Sequence, residues 1–150
     1  MSETYRTLPD GQKTTGSGLP ASSKGITWPV RYLERTITSA QILALDTTPL
    51  VLVPAQAGIA YVVRAFSISY HHGGTDYTTN LDMVLSVNSV TLSLITNALS
   101  GSADKVAQGD IKNAIAKIND DLVLTEGGGD PAAGDGTVDI YVEYLEIPAP

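Results

Sequence analysis

The alternation of hydrophobic and polar positions divides the chain near residue 30. Before that point apolar residues are sparse, and Gly11, Gly16, Gly18, Gly25, Pro9, Pro20 and Pro29 are spaced through a Ser/Thr-rich stretch. A segment of this kind cannot bury enough surface to offset its own ordering entropy, so any order it has must come from another surface. We therefore expect an extended N-terminal arm over 1–30 and a folded domain over 31–150.

Beyond the boundary a period of two dominates, the signature of half-buried strands. Tyr32-Leu33-Glu34-Arg35-Thr36-Ile37 opens the first β-prone run. Residues 59–70 predict a long central strand with Val62, Phe66, Ile68 and Tyr70 on one face and Val63, Ala65, Ser67 and Ser69 on the other. Leu81, Met83, Leu85 and Val87 alternate with Asp82, Val84, Ser86 and Asn88; after Asn88-Ser89, Val90, Leu92 and Leu94 stand opposite Thr91 and Ser93, which predicts a hairpin. The clearest strand is the last, with Val138, Ile140, Val142 and Tyr144 facing a core and Thr137, Asp139, Tyr141 and Glu143 facing away. With short runs at 50–53 and 121–125, the set comes to about seven or eight strands, which predicts an all-β domain, an antiparallel β-sandwich or jelly-roll-like fold.

Two segments carry a helical signal. Thr38-Ser39-Ala40-Gln41-Ile42-Leu43 is suited to one turn capped by a hydroxyl. Over 110–118, Ile111, Ile115 and Ile118 recur at helical spacing after Asp110, which predicts a short crossover helix; an irregular edge strand is the alternative.

Composition narrows the function classes. The 150 residues hold 9 Lys+Arg against 16 Asp+Glu, a net charge of -7 that disfavours nucleic acid as a partner. There is no cysteine, so disulfides, thiolate metal ligands and cysteine nucleophiles are excluded. No secretory signal is expected from the N-terminal pattern, and Arg64 interrupts the longest apolar run well short of a bilayer span, so no membrane partner is expected.

Candidate chemistry is thin. Residues 126–136 join Glu126, Asp130 and Asp135 to five glycines, but the alternating ligand spacing of a calcium loop is missing, and a long, flexible, solubilising hairpin tip is the favoured reading. His71 and His72 are neighbours before Gly73-Gly74, and strand neighbours point to opposite faces, which disfavours a shared metal. No Gly-x-Ser-x-Gly elbow and no phosphate loop occur, so we expect neither an enzyme nor a cofactor. Tyr61, Tyr70, Tyr77, Tyr141 and Tyr144 keep glycan binding open as an alternative, although Tyr70 and Tyr144 fall on core faces.

Two segments carry a resemblance. The run over 38–55, with Thr48-Pro49-Leu50 and Leu52-Val53-Pro54-Ala55, precedes Gly58 and the long strand, and Gly129-Asp130-Pro131-Ala132-Ala133-Gly134-Asp135-Gly136-Thr137 precedes the last strand. Together they resemble small β-sandwich virion proteins of tailed bacteriophages: head decoration, auxiliary capsid and head-fibre proteins. The likeness spans most of 36–146 and implies a β-sandwich virion module, often associated with the head exterior or with fibres, with a trimer as the expected assembly. It brings no catalytic residues, and the arm lies outside it.

The expectation is thus an auxiliary capsid (decoration or cement) protein on the capsid exterior, a homotrimer touching the major capsid protein and sister copies through its arm. The alternative is a fibre-associated module binding a host receptor or surface glycan. Sparse apolar and Arg anchors in a polar segment carry binding energy, so the candidate interface is Tyr5, Arg6, Leu8, Leu19, Trp28, Pro29, Tyr32 and Arg35.

Overall fold

The computed structural model describes residues 6–7, 13–14, 28–112 and 119–149. In chain order the elements are β1 (Arg6–Thr7), β2 (Lys13–Thr14), β3 (Val30–Ile37), the helical turn α1 (Ser39–Ile42), β4 (Leu50–Val53), β5 (Ile59–His71), β6 (Met83–Val87), β7 (Val90–Ile95), β8 (Lys105–Gln108), β9 (Asp110–Ile111), β10 (Leu122–Glu126) and β11 (Thr137–Pro148). Antiparallel pairing makes a five-stranded sheet, β4-β10-β6-β7-β9, and a four-stranded sheet, β3-β11-β5-β8. Both send buried side chains into one core, among them Phe66, Ile68, Ile140 and Val142 from one sheet and Leu85, Leu92, Leu122 and Leu124 from the other. The domain is an all-β sandwich.

Three bulges refine the strand faces, because one extra residue moves every later side chain to the opposite side. In β5, Glu143 pairs with Ala65 and Tyr144 with Val63, so Arg64 is the extra residue. Tyr61 and Val63 are therefore core on one side of it and Phe66, Ile68 and Tyr70 on the other, which corrects the expected faces of Val62 and Val63. Arg64 points out and meets Glu143 at 3.5 Å. In β7, Ser93 pairs with Leu85 and Thr91 with Ser86, leaving Leu92 as the bulge. Leu92, Ser93 and Ile95 are buried in consequence, whereas Leu94, expected beside Leu92, is only half-buried. A third bulge falls at Leu52 in β4, between the partners of Leu122 and Val123.

The turn after Thr38 forms as expected. The Gln41 amide donates to the Thr38 hydroxyl at 3.4 Å and the Thr38 amide to the Gln41 Oε1 at 3.0 Å, a reciprocal cap that seats Ile42 in the core. The expected 110–118 helix is corrected at its start. Asp110 and Ile111 form β9, held to β7 by the Ser93 hydroxyl on the Asp110 carbonyl at 2.9 Å and the Lys112 amide on the Leu92 carbonyl at 2.8 Å; residues 113–118 lie outside the described residues.

The 126–136 loop is not a hairpin tip, since β10 and β11 belong to different sheets and the loop crosses between them. Its acids accept hydrogen bonds from the backbone of neighbouring turns. Asp130 accepts from the Asp46 amide at 2.7 Å, the Thr47 amide at 3.1 Å and the Thr47 hydroxyl at 2.8 Å. Asp135 accepts from the Gly74 and Thr75 amides at 2.7 and 2.8 Å, and Glu126, itself buried, from the Asp82 and Gly128 amides at 3.1 and 2.8 Å. Satisfying orphan amides in this way fixes a loop that glycine alone would leave loose.

Gly134 has a φ of +95° and lies against the Tyr77 ring, whose hydroxyl donates to the Gly136 carbonyl at 2.7 Å; a Cβ at 134 would overlap that ring. Gly134→Ala is expected to destabilise the domain by about 1–3 kcal/mol through overpacking and left-handed strain, read as a lower midpoint in urea unfolding with unchanged slope.

Candidate interaction face

Alternation along β3, β11 and β5 places one set of side chains on the outer side of the four-stranded sheet. Cross-strand register sets Tyr32 beside Glu143 and Ala65, Glu34 beside Tyr141 and Ser67, and Thr36 beside Asp139 and Ser69. Tyr32 and Glu34 thus form a chequerboard with Glu143 and Tyr141, bordered by small side chains on β5 that leave a groove of about 490 Å³. Tyr32 is 78% exposed, Tyr141 40% and Val106, farther along the same sheet, 79%. Partial desolvation, then the charges of Glu34 and Asp139, hold the Tyr141 phenol above its ordinary pKa.

The sequence-derived candidates separate on this surface. Tyr5, Leu8 and Leu19 lie outside the described residues, and Arg6 belongs to β1. Trp28 is half-buried and Pro29 exposed at the entry to β3, two and one residues before its start. Tyr32 is a surface side chain, as an anchor must be. Arg35 is half-buried, and its Nη1 donates to the Val51 carbonyl at 3.1 Å, linking β3 to β4 at the side of the sandwich. Tyr141 takes the outward side expected of it from the period of β11, whereas Glu34 was not singled out, although the period of β3 carries the signal.

At the far end of the face, Asp139 accepts from the Thr36 hydroxyl at 2.5 Å and faces His71 Nε2 at 2.9 Å. His72 turns the other way, its Nε2 2.8 Å from Asp76. The two rings thus take separate carboxylates. Among the described residues no three His, Cys, Asp or Glu side chains converge in a way that could hold a metal ion. Of the five tyrosines considered for glycan stacking, Tyr61, Tyr70, Tyr77 and Tyr144 are core residues. Burial, followed by the influence of Tyr70 and Asp135, pushes the Tyr77 phenol up to about 12.

A second groove of about 620 Å³ lies on the five-stranded sheet, floored by Val84, Ser86, Thr91, Val123 and Thr125. Two of its lining carboxylates are engaged by backbone: Glu126 by the amides given above, and Asp82 by the Asn97 amide at 2.7 Å. It carries no aromatic side chain.

No family model and no curated protein matches the chain. Among solved structures it is similar to a chain of "Cyanophage Pam1 capsid asymmetric unit", with 18% identity, coverage of 88% of this chain and 93% of that one, and a TM-score of 0.43.

Two outcomes follow from the geometry of the face. Tyr32→Ala is expected to change unfolding free energy by no more than about 0.5 kcal/mol, as befits an exposed side chain, in a denaturant titration. The Thr36 hydroxyl, then His71, hold the Asp139 carboxyl below its ordinary pKa. A depressed carboxyl contributes stability above its unfolded pKa and loses it as pH falls through the folded value. Asp139→Asn should therefore lower the melting temperature at pH 6 to 7, and the gap to the parent protein should close below about pH 4.

Proposed function

We propose that the chain is an auxiliary structural protein of a tailed-phage virion, decorating the head exterior as a homotrimer and held to capsid and sister subunits by its N-terminal arm, with no enzymatic role. One observation carries this reading. The two sequence segments that resemble phage virion proteins lie more than seventy residues apart, yet Asp130 of the second takes the Asp46 and Thr47 amides of the first. The likeness therefore falls on one folded unit, the junction between the sheets.

Charge and placement support the arm as the attachment element. Residues 1–29 hold three cations, Arg6, Lys13 and Lys24, against Glu3 and Asp10, a net +1 that leaves -8 for the remainder of the chain. The arm enters the domain at β3, the edge strand that carries Tyr32. A trimer multiplies small contacts on a shell, and an arm enlarges each one without a larger domain.

A second reading has its own observation: Tyr32 and Tyr141 stand diagonally on one face between Glu34 and Glu143, an aromatic and carboxylate pattern suited to stacking on a sugar ring and accepting its hydroxyls. Binding to a glycan array that is lost in Tyr32→Ala and Tyr141→Ala would favour it.

The proposal is tested by mixing heads lacking the protein with the full chain or with a form lacking residues 1–27. The full chain should pellet with heads and give a trimer mass by native mass spectrometry. The truncated form should keep its β circular dichroism and remain in the supernatant; undiminished pelleting of that form would refute the attachment role.

A further inference from the structure

Register gives the groove on the outer face of the four-stranded sheet the shape of a slot. One wall is the row Tyr32, Glu143 and Ala65, and the other is the row Glu34, Tyr141 and Ser67. Leu33 and Val142 lie between the rows, with their side chains turned to the core, so their backbone floors the slot. Adjacent rows are two residues apart on each strand, about 6.8 Å. That is close to twice the van der Waals contact distance of about 3.5 Å, so a flat group between the rows touches both walls. Each wall carries one phenol and one carboxylate in opposite order: Tyr32 stands across from Glu34 on β3, and Glu143 across from Tyr141 on β11. At β5 the walls fall to Ala65 and Ser67, which leaves that end low and open.

Charge sets the sign of the occupant. Arg64 meets Glu143 at 3.5 Å, whereas Glu34 pairs with no cation among the described residues. Arg31 and Arg35 alternate to the other side of β3, where they meet Glu146 at 3.3 Å and the Val51 carbonyl at 3.1 Å. The slot therefore has a carboxylate in surplus at its β3 end, beside the largely exposed ring of Tyr32. The groove on the five-stranded sheet has carboxylates but no aromatic side chain to stack on.

We propose that this slot binds the guanidinium of an arginine side chain presented by a partner protein, with the head between Tyr32 and Glu34 and the aliphatic stem directed past Tyr141 toward the low β5 end. A guanidinium is flat, permanently charged and weakly hydrated; it stacks on aromatic faces and meets a carboxylate through paired N–H donors. A lysine ammonium supplies the charge without the plane. A neutral sugar uses the rings but leaves the surplus charge of Glu34 unmatched. Every residue of the slot belongs to the sandwich, so this contact does not depend on the arm and adds a second point of attachment to it. Tyrosine and arginine are also the side chains that most often anchor protein interfaces.

NMR titration of the full chain with a Gly-Arg-Gly peptide blocked at both ends reads the contact residue by residue. The backbone amides of 32–34, 65–67 and 141–143 should shift. Tyr32→Ala and Glu34→Gln should each weaken the peptide about two- to fivefold, the size of an exposed cation–π or ion-pair contact. The lysine peptide should bind more weakly, and the citrulline peptide, which keeps the shape and drops the charge, should leave those amides unmoved. Equal responses to arginine and citrulline would overturn the proposal, as would lysine binding as tightly as arginine or shifts confined to other parts of the chain. Tighter binding of free arginine than of the blocked peptide marks a small-molecule site, and movement of the same amides by methyl glucoside alone marks a glycan site; either result defeats the partner-protein assignment. In the combined variant Arg6→Gln, Lys13→Gln and Lys24→Gln the slot amides should keep their positions without peptide; a change there would put the chain's own arm in the slot and contradict the proposal.

Discussion

The fold depends on one ladder, the antiparallel pairing of β5 with β11. Its partners run from Thr137 opposite His71 to Pro148 opposite Ile59, and nearly every large buried side chain of the four-stranded sheet hangs from it. The bulge at Arg64 is the constraint that makes so long a pair workable. Without it, either Tyr61 and Val63 or Phe66, Ile68 and Tyr70 would face solvent, since a uniform alternation cannot bury both sets. The same bulge directs Arg64 outward to Glu143 and leaves Ala65, Ser67 and Ser69 as the low floor of the exposed face. Core and interaction surface are thus two consequences of one register.

Around that ladder, carboxylates do the work that a larger core or disulfides do elsewhere. Asp130 ties the loop before β11 to the turn before β4, and Asp135 ties it to the turn after β5. Desolvation acts to raise the Asp130 carboxyl, but the Thr47 hydroxyl, then the Thr47 and Asp46 amides, outweigh it and leave the pKa lowered. Asp135 is lowered chiefly by the Thr75 amide and then that of Gly74. In both cases bonding to the charged form dominates. An acidic, cysteine-free chain can in this way use its charge internally while its outer face stays open to partners.

Much of this was legible in the alternation. The faces of β11, the capped turn at Thr38, the opposite orientations of His71 and His72 and the all-β class all follow from period and propensity. What escaped has a physical reason in each case. The bulges at Arg64 and Leu92 are set by the partner strand, which a single strand's sequence does not contain. Asp130 and Asp135 read as loop-tip acids because the amides they accept from are 84 and 60 residues away. The bond from Arg35 to the Val51 carbonyl was not legible, because Val51 belongs to the other sheet. Tyr32 and Tyr141 could be assigned outward from period alone, but their chequerboard with Glu34 and Glu143 required the cross-strand register.

The measurement that bears most directly on the role argued for the arm is a cryo-electron microscopy reconstruction of the phage head carrying this protein. The expected density has the sandwich in groups of three on the outer surface, with the first thirty residues in contact with neighbouring subunits. Heads whose surface lacks the sandwich, or on which it sits with its arm contacting nothing, would contradict it.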